Sequence, residues 1–221
     1  MIVQDMKEEY VDLLVNRLTH SSLSLEKDLG NPDDSKNALR LYDGMVAFKR
    51  LLERKEEPLT LDKIVETGDL VNASAWYISR GYRKMGEYLV DTNIPISKPE
   101  NISGDMERLV EAYQEAEEEG MDPFLQEAYF HIRFIRIHPF EDGNGRTSRL
   151  LLNANLLQKE IVPVIITDDL LPFYYSYIEQ EDAESMAHLF RIQSQKEEKV
   201  MKEFQERYQA SFFEHRERKA R

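Results

Sequence analysis

A histidine, an acidic pair, a Gly-Asn-Gly turn and two arginines fall within twelve residues, HPFEDGNGRTSR at 138–149. His138 carries the side chain whose ordinary pKa lies near neutrality, so it can serve as a general base, a role that typically supplies about 10²–10⁴-fold in rate. Glu141 and Asp142 can cap a helix. A carboxylate beside a phosphate site is also how Mg²⁺ is usually held, with most ligands coming from phosphate and water. Gly143, Asn144 and Gly145 permit positive φ and close backbone approach, directly before a helix whose first N–H groups and dipole attract anions. Arg146 and Arg149 are three apart, hence neighbours on the first helical turn. Two cations there oppose the dipole unless a phosphate is bound. Each part alone also reads as structure: a packed helix-end histidine, a cap acid, an ordinary turn, solvated arginines. Together they point to phosphate chemistry beside a base.

Two other chemistries fit less well. The GxxxxGK[ST] spacing of a Walker A loop is missing, and a helix rather than a strand precedes the motif. His131 and His138 stand two helical turns apart, but the carboxylates that would complete a closed metal site are not evident.

Helices must position these groups. Met6, Tyr10, Leu13, Leu14 and Leu18 recur at spacings of three and four, predicting an amphipathic first helix. A polar, turn-rich piece follows at 28–36. Ala38, Leu39, Tyr42, Met45, Val46, Phe48, Leu51 and Leu52 mark a second helix, ending near Pro58. A third begins at 60–62, and a fourth is expected over 72–80. Residues 81–104 carry three glycines, two prolines and β-branched residues without a helical stripe, and predict an extended or hairpin excursion. Helix resumes over 105–120. Asp122-Pro123 pairs an N-cap residue with proline at the first helical position, and Phe124 to Ile135 continue at helical spacing; FHIRFIRI alternates enough to compete as a strand. RTSRLLLNANLLQKE is apolar over most of its circumference and predicts a buried central helix. IVPVII reads as a short connection. Two further helices are expected at 169–180 and 182–195, then a charged helical tail over about 196–221.

Composition narrows the function classes. The 221 residues carry a formal net charge of −13, which disfavours a nucleic-acid partner held through phosphates while leaving room for one nucleotide in a local basic pocket. With no cysteine, disulfides and thiolate metal sites are ruled out. No apolar run approaches the roughly 18 residues of a membrane span, and the N-terminus lacks a signal-peptide pattern. The expectation is a cytoplasmic, single-domain protein over 1–221, with no internal repeat.

HPFEDGNGRTSR resembles the Fic family motif, HPFx[DE]GNGRxxR, at every specified position, and the resemblance covers about residues 10–195. It implies an all-α, Fic-fold helical core with a small β-hairpin flap at about 86–100, and transfer of AMP from ATP to a Tyr, Thr or Ser hydroxyl of a target protein, including self-modification. Under the resemblance His138 takes the hydroxyl proton, Asp142 holds Mg²⁺, Gly143, Asn144 and Gly145 form the anion hole, and Arg146 and Arg149 meet the phosphates. Ile94 and Pro95 in NIPISKP would clamp an extended target backbone, a strand-addition mode. Tyr174 and Tyr175 resemble a tyrosine pair near the adenine, although core packing explains them equally. HSSLSLEKD resembles the family's N-terminal inhibitory helix, in the region of about 10–30, with Ser22 and Glu26 on one face and Glu26 pairing with Arg149. Lys27 departs from that pattern, which has Gly or Asn; its charge competes with Arg149 for Glu26 and weakens the case for tight inhibition. The family also implies a homo-oligomer in some members. Alternative readings are a Fic-fold enzyme using another donor or removing AMP, and a catalytically silent nucleotide-binding regulatory module.

Overall fold

The computed structural model describes the backbone of residues 8–25, 35–86 and 94–219. Its α-helices are α1 (Glu8–Leu25), α2 (Ser35–Glu53), α3 (Leu61–Val71), α4 (Ile102–Glu118), α5 (Pro123–Ile137), α6 (Asn144–Gln158), α7 (Leu171–Gln180) and α8 (Ala183–Lys219), with short 3₁₀ turns at Pro99–Asn101 and Asp168–Leu170. Among the described residues there is no strand. No helix among them is long and apolar enough to cross a membrane.

α6 is the axle of the fold. Every residue from Arg146 to Leu157 is buried, as its all-round apolar character predicts. α1, α2, α3 and α5 pack around it, and α4, α7 and α8 pack in turn on α5. Several of the polar groups that come along are paired across the core, as buried polar groups mostly are. Asn153 donates to the Val164 carbonyl and accepts from the Val164 N–H. This pins segment 161–166 to α6 by side-chain bonds, without a strand. Glu127, wholly buried on α5, accepts from Tyr113 Oη of α4 at 2.5 Å and from Asn155 Nδ2 of α6 at 3.2 Å. Three helices are thereby locked in register.

Local signals account for several boundaries. Thr60 caps α3 by accepting from Lys63 N, and Asp122 caps α5 by accepting from Leu125 N, with Pro123 at the first helical position. The helix expected over 72–80 is instead a run of turns. Asn72 ends α3 and spends its side-chain amide on the Gly68 and Asp142 carbonyls. Asp43 of α2 then takes both the N–H and the hydroxyl of Ser74. Trp76 is 88% exposed, so this stretch has no apolar face to bury. α4 starts at Ile102, three residues earlier than its periodicity predicts. The two helices expected at 182–195 and 196–221 are one, α8. Of the expected hairpin at 86–100, residues 87–93 lie outside the described residues; 94–98 is extended chain leading into a 3₁₀ turn.

One contact fixes where the motif loop sits. Phe140 is 2% exposed, and its ring fills the space beside Gly68 of α3. A Cβ on Gly68 would lie 2.4 Å from the ring's Cζ. Gly68→Ala should therefore destabilise the protein by roughly 1–3 kcal/mol through overpacking, despite the helix-propensity gain of about 1 kcal/mol. Urea denaturation measures it. In a Phe140→Ala background the same substitution should become neutral or stabilising, since the obstructing ring is gone.

Candidate active site

α5 ends where His138 takes a left-handed conformation, φ 53° and ψ 61°. That region is costly for a non-glycine residue, so the turn must be braced from outside. His138 N donates to Phe134 O at 2.9 Å. Arg83, 2% exposed, donates from Nε to the His138 carbonyl at 2.7 Å and from its backbone N–H to the Pro139 carbonyl at 2.8 Å. Its Nη1 donates to Met85 O at 2.8 Å and its Nη2 to Ser97 O. Ser97 N donates back to Arg136 O, two residues before the histidine.

Burial, and next the positive charge of Arg83, push the His138 imidazole down to about 4, against the opposing pull of the Ile135 carbonyl and Asp142. The ring is therefore neutral at pH 7 and able to accept a proton. His131, one layer deeper, is pushed down to about 3 by burial and then by Arg149. Its Nε2 lies 2.5 Å from Tyr174 Oη.

After His138 the loop is held by its own residues. Asn144 Nδ2 donates to Phe140 O at 2.7 Å, and Phe140 N donates to Asn144 Oδ1 at 2.9 Å. Gly143 sits at φ 76°, and a Cβ there would meet Val71 Cγ1 at 2.9 Å, so only glycine satisfies both the conformation and the space. α6 then begins. Thr147 N makes the first bond of the helix, to Gly143 O, so the N–H groups of the first turn point out of the helix end. A helix start of this kind favours anions.

Asp142, a third exposed at its side chain, lies beside that start. Its Oδ1 accepts from Gly143 N at 2.6 Å and pairs with Arg146 Nη2 at 3.2 Å; its Oδ2 pairs with Arg40 Nη2 of α2 at 3.1 Å. Arg146, 3% exposed, also donates to Val71 O and Asn72 Oδ1 at the end of α3. As a divalent-cation ligand Asp142 fits: it is a hard oxygen donor, partly exposed, adjoining a helix start that favours anions. No group of three or more His, Asp and Glu side chains that could hold a metal occurs among the described residues. An ion here would draw its remaining ligands from phosphate and water, the usual pattern for Mg²⁺.

The structure thus brings His138, Asp142, Gly143, Asn144, Gly145 and Arg146 to one helix junction. Arg149 is buried at 6% on the next turn and shares a small cavity with Leu18 and Ser21 of α1 and with Ile166. Ser21 Oγ donates to Ile166 O. Ser22 belongs to the last turn of α1, and Glu26 lies outside the described residues. Ile94 is 6% exposed within the core, while Pro95 is exposed. A cavity of about 710 Å³ opens beside Pro95, Ile96 and Ser97, between α4 and α5, and no motif residue lines it. Tyr174 is 1% exposed with its hydroxyl on His131, so of the tyrosine pair only Tyr175, 38% exposed, presents a ring to solvent.

Three contributors escape sequence reasoning. Arg40 and Arg83 act across about a hundred and about fifty-five residues of chain, and no local periodicity marks them. Asn72 carries a weak signal, since asparagine commonly ends helices.

An all-α bundle with this junction defines a class. Residues 58–156 match the model of the Fic/DOC family. The chain is 32% identical over 142 residues to the protein adenylyltransferase Fic of Nematostella vectensis, covering 64% of this chain and 33% of that relative. It resembles the crystal structure of a Fic domain containing signaling protein from Bacteroides thetaiotaomicron with a TM-score of 0.72 at 24% identity, covering 82% of this chain and 78% of that one. It also resembles IbpAFic2 covalently tethered to Cdc42, with a TM-score of 0.63 at 21% identity over 82% and 61% of the two chains. The chain has the fold of these Fic-domain structures and matches the Fic/DOC family over 58–156, and it spans about a third of the length of the curated Nematostella relative.

Two pH-dependent outcomes follow from the site and its support. The His138 ring signals should titrate by NMR with a midpoint near pH 4, well below the usual 6.5. Burial raises Glu127 from 4.5 to about 7, so between these values the folded state holds a proton that the unfolded state has lost. Stability from this group is full below pH 4.5 and is lost as pH rises through about 7. Denaturation of Glu127→Gln across that window should lack this decline.

Proposed function

We propose that the protein is an adenylyltransferase, moving AMP from ATP to a Tyr, Thr or Ser hydroxyl of a target protein and of itself. The observation that carries this reading is a neutral, braced imidazole at the same junction as a phosphate-binding helix start and a cation-binding carboxylate.

In this reading the target hydroxyl is aligned beside His138. Its oxygen attacks the α-phosphorus, a new O–P bond forms, the bond from the α-phosphorus to the bridging oxygen breaks, and pyrophosphate leaves. The hydroxyl proton passes to His138, whose neutrality at pH 7 keeps it ready to accept; a tyrosine hydroxyl, with a free pKa near 10, needs such a base. The N–H groups of Asn144, Gly145 and Arg146 cradle the phosphate oxygens, and positioning with charge neutralisation does most of the remaining work. Asp142 would hold Mg²⁺, which supplies neutralisation of charge on the phosphates. Arg146 contributes by fixing Asp142 and by its charge. The side chain of Asn144 supports the loop, leaving its backbone as the phosphate contact. Arg149, deeper, is suited to the far phosphates.

Partners and regulation follow the same reading. The Cdc42-tethered relative supports a protein as acceptor, docking by its backbone along the chain near Ile94 and Pro95. Tyr175 is the member of the tyrosine pair placed to reach an adenine. The packing of Ser21 beside Arg149 supports an inhibitory role for the end of α1, with Glu26 pairing with Arg149 and Lys27 loosening that pair. The whole chain would act as one domain, in the cytoplasm.

Intact mass after incubation with ATP and Mg²⁺ tests this. Wild type should gain one or more AMP units, Glu26→Ala should gain more, and His138→Ala none. No adduct on wild type or Glu26→Ala, on itself or on any protein of a cell lysate, would sink the proposal.

A further inference from the structure

Arg83 is the side chain that joins most of the segments around His138. Its donors end on three carbonyls from three different stretches of chain, those of His138, Met85 and Ser97, while its backbone N–H takes a fourth, that of Pro139. At 2% exposure it is among the largest fully buried side chains of the described protein. Burying a guanidinium is expensive unless its hydrogen bonds are made, and a core aliphatic side chain would fill the same volume without that cost. A planar fork is needed only if several backbone acceptors must be held at fixed relative angles.

The acceptors identify what is being held. His138 is in the left-handed region and cannot be maintained by α5 alone. Met85 and Ser97 stand on either side of residues 87–93, and Ser97 is tied a second time to α5 by its N–H to Arg136 O. The proposed target-docking residues, Ile94 and Pro95, directly precede this anchor.

We infer that Arg83 is a positioning residue, which sets the imidazole of His138 and the chain at 83–85 and 94–97 as one rigid unit, so that acceptor backbone and base are held at a fixed separation. This rests on the reading of His138 as the base. Reacting groups displaced by about 1 Å lose on the order of 10²-fold in rate, and the four carbonyls that Arg83 holds belong to none of the residues assigned above to nucleotide or cation, Asp142 to Arg146 and Arg149. Its loss should therefore lower turnover and leave nucleotide binding alone.

Arg83→Lys keeps the charge and the stem but cannot bond three carbonyls in a plane. Two readouts are taken on it beside Tyr113→Phe, which removes a buried hydrogen bond remote from the motif and controls for lost stability. First, amide hydrogen exchange at Ser97 should speed up at least tenfold in Arg83→Lys, with amides in the middle of α6 unchanged. Second, the turnover for AMP transfer should fall at least tenfold with the KM for ATP within about twofold, while Tyr113→Phe keeps its turnover per folded molecule. Wild-type exchange at Ser97, or wild-type turnover, in Arg83→Lys overturns the inference. If wild type transfers no AMP, the base assignment falls by itself, and the exchange measurement alone decides whether Arg83 holds the unit together.

Discussion

Two left-handed residues, His138 at φ 53° and Gly143 at φ 76°, carry the chain from α5 into α6 within six positions. The reversal places the end of one buried helix, with its imidazole, against the start of another, with its first-turn N–H groups. Neither helix can slide to relieve the turn. α6 is buried from Arg146 to Leu157, and α5 is locked to α4 and α6 through Glu127. Strain is therefore met locally: by Arg83 on the first left-handed residue, by the absence of a Cβ on the second, and between them by Phe140, seated against Gly68 and bonded twice to Asn144. The loop is rigid because each of its residues has a separate anchor.

Charge is distributed with the same economy. The chain carries −13 overall, yet around the motif the buried ions are mostly guanidinium groups: Arg83, Arg146 and Arg149. Arg83 is satisfied by carbonyls and Arg146 by Val71, Asn72 and Asp142, so each is held in place by protein acceptors. The result is a positive potential at a helix start that already favours anions. Asp142 sits in this field between Arg40 and Arg146. A carboxylate held by two guanidinium groups is oriented, the condition under which one acidic side chain can share a cation with phosphate oxygens.

Sequence reasoning reached the elements whose cause is local. The Asp122-Pro123 start, the buried character of α6 and the turn of 138–143 between two helices all follow from neighbours within a turn or two. It missed where the cause is distant. Nothing near Asn72 announces that Asp43 and Asp142 will claim that stretch, so a helix was expected where turns occur. Residue type does not announce that the side chains of Asn144 and Arg146 are both engaged with protein, Asn144 with Phe140 and Arg146 with Val71 and Asn72. Arg40 lies outside the span matched by the family model, and only the packing of α2 brings it to Asp142. The flap tip and Glu26 fall on residues the structure does not describe.

The depth of His138 has a chemical consequence. An imidazole pushed down to about 4 is neutral throughout the neutral range but is a weaker proton acceptor than an exposed one. Such a residue suits a reaction in which the proton leaves late, after the attacking oxygen has begun to bond to phosphorus and has become more acidic. Loose phosphoryl-type transition states behave in this way, placing little demand on base strength and much on position. The same burial and the same guanidinium that weaken the base are what fix its place. Here alignment has been favoured over basicity, and the network around Arg83 is the physical form of that choice.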